Sequence, residues 1–148
     1  MAAAALGGAH MVRVHDVATT VSTLKIVDVS HEFLKVVKHP RHGYGKNLNP
    51  CVDCKIFLFS KARELLKDEG ASFLITGEVL GQRPMSQRRD TLRIIERDSG
   101  TDGILLRPLC AKRLKPTLPE ERGWVDRNKL LDLAGRGRTP QMTLAKHF

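Results

Sequence analysis

The sequence lacks any apolar run long enough to cross a membrane. Its longest runs, Ala2 to Leu6 and Ile56 to Phe59, fall far short of the roughly 18 residues a spanning helix needs. A secretory signal is missing too, because Met1 to Gly8 has neither a basic start nor a long apolar centre, and the stretch is not an Arg-rich, Ser-rich transit peptide either. The cytosol is the default compartment. Cysteine is scarce: three residues, two of them Cys51 and Cys54, cannot form a disulfide framework and point to thiol chemistry or metal ligation. A second Cys-x-x-Cys is absent, which argues against a structural zinc site. No internal repeat is evident, and the alanines at the start are the only low-complexity stretch.

What remains is a chain of 148 residues, 41% hydrophobic and 28% charged, a globular composition with room for one domain and its core. The net charge is +9, and it is unevenly placed. Residues 1–82 hold ten basic and eight acidic side chains, residues 83–148 fifteen and eight. Eleven of those fifteen are Arg, whose planar fork suits phosphate and carboxylate. A polyanion such as nucleic acid follows as a candidate partner. A well-charged soluble surface accounts for the charge equally well.

Read for local structure, Leu24 to Val29 has the β-branched composition of a buried strand, and Ser30 can cap a short helix through Lys38. Pro40, Gly43 and Gly45 start a long loop, of the kind that tends to carry function. Asn49 as cap, Pro50 at the first position and Gly70 as stop predict a helix over residues 50–69, with Ile56, Phe59, Ala62 and Leu66 on its apolar face beside Leu58 and Leu65. A strand over Ser72 to Thr76, a helix over Ser86 to Arg97 and a strand over Gly103 to Leu106 follow. Pro116 and Pro119 mark a loop, and Asp126 to Ala134 reads as a short helix stopped by Gly135. Apolar strands alternating with helices predict a parallel α/β sheet.

Asn49-Pro50-Cys51-Val52-Asp53-Cys54 puts two thiols on one face of a first helical turn. The free N–H groups there, with Lys46 and Lys55 nearby, favour a thiolate; Asp53 opposes it. A sulfur nucleophile or a metal ligand needs such an anion. The plainer alternative is two small buried residues. Further on, Ile75-Thr76-Gly77-Glu78-Val79-Leu80-Gly81-Gln82 lies where a strand's carboxyl end meets a loop, the place where open α/β sheets bind ligands.

Taken in order, NPCVDC, ITGEVLGQRPMSQRRDTLRII and GILLRPL resemble the catalytic domain of tRNA 4-thiouridine synthetases and related PP-loop sulfurtransferases. These share a TGExLGQxxSQTLxNL-like segment and a later strand ending in RPL. The NPC-x-x-C element resembles the NPD-x-x-C segment of tRNA 2-thiouridylases, with Cys54 at the reactive cysteine and Cys51 where that family has Asp. The likeness runs over roughly residues 24–135. It implies a Rossmann-like (adenine nucleotide alpha hydrolase) parallel sheet flanked by helices, incomplete at both ends: a divergent start over 1–22, the α/β domain over 23–135, and over 136–148 a basic tail or the start of a further helix.

The resemblance also implies a reaction. ATP with Mg2+ adenylates a tRNA uridine oxygen, and sulfur from a persulfide or a cluster then displaces AMP. Gly77, Glu78, Gly81, Gln82 and Arg107 would line the nucleotide pocket, with Ser86 and Gln87 matching the family's SQ pair and Pro108 the RPL element. Cys54 would carry sulfur with Cys51 as its partner, and Arg83, Arg88, Arg89 and Arg93 would hold tRNA. An iron–sulfur cluster on Cys51, Cys54 and Cys110 stays open. A sulfur donor such as a cysteine desulfurase is the expected protein partner, a homodimer is allowed, and no membrane is involved. Where the family has its phosphate-binding SGGxDS loop, this chain offers only Leu6-Gly7-Gly8, and Phe148 falls where related domains continue. The other two readings are a non-catalytic nucleotide- or RNA-binding remnant whose cysteines are structural or metal-binding, and a thiol redox protein.

Overall fold

A computed structural model describes residues 25–45 and 48–147. The expected strand at Leu24 to Val29 does not form over its described part: residues 25–29 carry no strand pairing, and Ile26 is 87% exposed. β-Branched composition favours a strand only where a neighbouring strand or packed face receives it. Leu24 and the first 22 residues lie outside the described residues. Helix α1 (Ser30–Lys38) follows, with Val29 rather than Ser30 at its cap. Asp28 does the capping chemistry from one residue earlier, its Oδ1 accepting from the Ser30 N–H at 2.9 Å and from the Ser30 hydroxyl at 2.6 Å.

Helix α2 (Cys51–Asp68) matches its expected span, with Pro50 one place earlier than predicted, at the cap. It ends as the sequence requires. Gly70 takes φ +59°, its N–H reaches Lys67 O and the Ala71 N–H reaches Leu66 O, the paired bonds of a Schellman stop. Phe59 and Ala62 are buried on its inner face, and Phe59 joins Ile95 and Leu105 in one core cluster, against which Val52, Ile56 and Leu74 pack.

Strands β1 (Leu74–Ile75) and β2 (Leu105–Leu106) pair in parallel, Leu74 opposite Leu105 and Ile75 opposite Leu106, each strand shorter than predicted. Helix α3 (Arg89–Ser99) makes the crossover between them and packs on α2. It starts later than expected, leaving Ser86 and Gln87 buried in the preceding turn. Its stop, Gly100, lies in the left-handed region at φ +66°.

Beyond β2 the reading from proline and glycine needs correcting. Pro119 lies inside a one-turn helix, α4 (Leu118–Glu121), whose start is held by the Glu120 carboxylate accepting from the Thr117 N–H at 2.8 Å. The helix expected over Asp126 to Ala134 is a single 3-10 turn, Arg127–Lys129, capped by Asp126. Leu131 and Leu133 then run extended, because their N–H groups donate to Pro108 O at 2.8 Å and Leu109 O at 2.9 Å rather than along a helix. Ala134 pairs in parallel with Leu80 in an isolated bridge outside the two-stranded sheet. A last helix, α5 (Thr139–His147), occupies most of the expected tail. The α/β class with parallel pairing is as the sequence predicts. Among the described residues no helix is long and apolar enough to cross a membrane.

Candidate functional site

Both strands run their carboxyl ends to the same edge, so the Thr76–Gln82 loop and the Arg107–Cys110 turn meet there. The meeting is electrostatic. Arg107 Nε donates to Glu78 Oε2 at 3.0 Å, and Arg107 Nη1 pairs with Glu96 Oε1 on α3. Lys55, one residue past Cys54, brings its ammonium 3.4 Å from the other Glu78 oxygen, a charge contact without a directed hydrogen bond. The Arg107 and Glu78 side chains are 1% and 3% exposed, so these charges compensate one another inside the fold. Glu78 and Arg107, expected to line a nucleotide pocket, are therefore spent largely on each other.

Other residues of the loop present a different surface. Gly77 is exposed between buried Thr76 and Glu78, with nothing within 4 Å of the place a Cβ would take. Backbone there is open to a ligand. Gly81 needs its glycine for conformation, at φ +76°, and its N–H donates to Gln87 O at 2.7 Å. Gln82 folds back through its N–H to Val79 O. Ser86 and Gln87 are buried behind the loop, and Gln87 Oε1 has no hydrogen-bond partner among the described residues.

Cys51 and Cys54 are half-buried free thiols on the first turn of α2. The expected early ionisation is not found at Cys54. Burial pushes its thiol above the ordinary range, Lys55 pulls it down, and neighbouring Cys51 pushes it further up. Desolvation is the largest of these influences and outweighs the Lys55 ammonium. Between the two cysteines, Asp53 turns inward and is met by His42, whose backbone N–H donates to Asp53 Oδ2 at 2.9 Å and whose Nδ1 lies 2.9 Å from Oδ1. His42 Nε2 lies 3.4 Å from Asp98 Oδ2 on α3. The hydrogen bond from Arg97 Nε holds the Asp98 carboxyl below its usual range. His42 thus ties the loop before α2 to that helix through Asp53, while Asp98 Oδ2 on α3 lies near the ring without a hydrogen bond among the described residues. Lys46 lies outside the described residues.

Cys110 is buried, its thiol 3.4 Å from Glu78 O and raised by that burial. Among the described residues no group of three or more His, Cys, Asp or Glu could hold a metal. The structure thus does not gather Cys51, Cys54 and Cys110 as cluster ligands; Cys110 acts as a small core residue. Of the four arginines expected to hold RNA, Arg83 is exposed in the loop, Arg88 pairs with Asp90 at 3.3 Å, and Arg89 and Arg93 are exposed on α3.

His42, Lys55, Glu96 and Asp98 were not singled out as site residues from sequence. Lys55 had a local signal, its place beside Cys54; the other three act through partners distant in the chain. A family model described as thiamine biosynthesis protein (ThiI) matches residues 4–114, a span holding the cysteine pair, the glycine loop and the Arg107 turn. No curated protein and no solved structure matches the chain.

Proposed function

The chain belongs to the ThiI family, and from that membership we propose that it is an ATP-dependent tRNA sulfurtransferase domain. The observation that carries this reading is that the family match spans both halves of the chemistry, the thiols of α2 and the glycine loop after β1, and that Lys55 and Glu78 tie the two together.

A uridine carbonyl oxygen attacks the α-phosphate of ATP and pyrophosphate leaves, with magnesium carried in on the phosphates. Gly77, free of side chains, lets the nucleotide approach the backbone, and Glu78 and Arg107 hold that loop in shape. Cys54, loaded by a persulfide donor, carries the sulfur. Its terminal sulfur attacks the carbon bearing the adenylated oxygen, and AMP departs with that oxygen. Cys51 then attacks Cys54 Sγ, the thiouridine is released, and a Cys51–Cys54 disulfide remains for a thiol reductant to reopen. Lys55 offsets the burial of Cys54 when the sulfur becomes anionic.

One observation favours a second reading, nucleotide or RNA binding without turnover: Glu78 and Arg107 are closed on each other inside the fold. The two separate in one assay. Anaerobically purified chain, given ATP, tRNA and a persulfide donor, should release AMP, and Cys54→Ser should form adenylate without sulfur transfer. Nucleotide binding with no AMP release in the native chain would overturn the enzyme reading in favour of the second.

A further inference from the structure

Beside the crevice that holds the glycine loop, a cleft of about 760 Å3 opens between α3, β2 and the Leu114–Thr117 segment. Its charges are not balanced. Among its carboxylates, Asp90 is taken by Arg88, Glu96 by Arg107 and Glu120 by Arg127. No carboxylate among the described residues pairs with Arg89, Arg93 or Lys115, three exposed cations on its walls, and on the acidic side only Asp102 is similarly unpaired. Arg107 also lines the cleft. Its Nε points to Glu78 on the crevice side, and its Nη1 to Glu96, which lines the cleft. Its Nη2 is buried with no acceptor at all among the described residues. A charged donor left unmade inside a fold is costly, and native structures rarely keep one without a use.

We propose that this cleft is a phosphate-ester site, separate from the nucleotide crevice, in which Arg93 and Lys115 grip the phosphate oxygens and Arg107 Nη2 supplies the innermost donor. The chemistry suits a phosphate because guanidinium forks and an ammonium line one cleft whose own acids are mostly neutralised. The phosphate can come from a free nucleotide or from an RNA backbone. Arg107 reaches both this cleft and the glycine loop, so the loop's shape and occupancy of the cleft are linked through one side chain. The site does not depend on sulfur transfer, and its test needs none.

The test uses the full chain and two probes: adenosine monophosphate followed by calorimetry, and a fluorescein-labelled single-stranded RNA followed by anisotropy. Arg93→Gln and Lys115→Gln lie on exposed positions and should leave the far-UV circular dichroism and Tm unchanged. Each should weaken binding by about tenfold, the loss of one charge-assisted contact. Weakening toward both probes assigns the site to the phosphate itself; weakening toward the RNA alone assigns it to the backbone. Lys67→Gln, an exposed lysine elsewhere on α2, is the control. The proposal is overturned if neither probe binds, if Arg93→Gln and Lys115→Gln bind like the native chain, or if Lys67→Gln weakens binding as much as they do.

Discussion

Replacing Arg107 by Met removes the one cation between two carboxylates. Glu78 is then left 3% exposed with only Lys55 3.4 Å from one oxygen, while Glu96, 20% exposed, can turn toward water. Breaking a buried ion pair from one side typically costs about 3–5 kcal/mol, and the partial compensation here places the loss near the lower end, about 3 kcal/mol. A domain of roughly 150 residues moves its Tm by about 2–4 °C per kcal/mol, so Arg107→Met should melt about 9 °C below the native chain. Urea unfolding followed by circular dichroism at pH 7 measures the same quantity independently. The reasoning has a sharper consequence in the double variant. If the loss comes from a stranded charge, adding Glu78→Gln to Arg107→Met should recover about 1–2 kcal/mol instead of costing more. A single-variant loss under about 1 kcal/mol, or a second substitution that only adds its own cost, would refute the view that Arg107 and Glu78 are joined chiefly by charge.

Three further outcomes follow from the geometry. Alkylation of Cys54, followed by mass spectrometry of its peptide from pH 6 to 10, should accelerate at a pH above that of an unburied thiol. Lys55→Gln should move that rise higher still, because the opposing ammonium is gone; a midpoint that falls in the variant would contradict this. Gly100→Ala should destabilise by about 1–2 kcal/mol in denaturant titration, from a left-handed φ, and its Cβ would also lie 1.8 Å from Arg63 Nη1. A neutral result would mean that α3 can end otherwise. His42→Ala removes the ring from Asp53 Oδ1 and keeps only the backbone N–H on Oδ2, so limited proteolysis should cut residues 39–45 faster than in the native chain, while the fragment pattern elsewhere is unchanged; equal cutting rates would show that the backbone bond and other contacts suffice to hold the loop.

Local chemistry made some of this structure legible. Helix α2 announces itself because its stop is a property of a few neighbouring residues, Gly70 foremost, and its apolar face recurs at helical spacing. The α/β order was readable for the same reason, since each apolar segment is bounded by its own turn signals. Segments whose fate depends on distant partners were not. Lys25 to Val29 has strand composition, but only packing decides whether a strand forms. Asp126 to Ala134 has helical spacing, but the carbonyls of Pro108 and Leu109 claim its N–H groups first. The site divides similarly. The cysteine pair and the glycine loop stand out as short motifs, whereas the burial of Cys54, which raises its thiol, is a tertiary fact. Arg107 stands out in sequence through its place in the RPL element, yet its partner Glu78 lies 29 residues earlier, and no spacing rule joins a strand-end arginine to that carboxylate.

The central claim, that this chain transfers sulfur to tRNA, is tested most directly by the RNA itself. Native chain and Cys54→Ser are each incubated with ATP, unmodified tRNA and a persulfide donor, and the digested tRNA is read by mass spectrometry for a thiolated uridine. The account predicts the thiolated nucleoside with the native chain, dependent on ATP and absent with Cys54→Ser. Thiolation undiminished in Cys54→Ser, or none from a native chain that binds both ATP and tRNA, would contradict it.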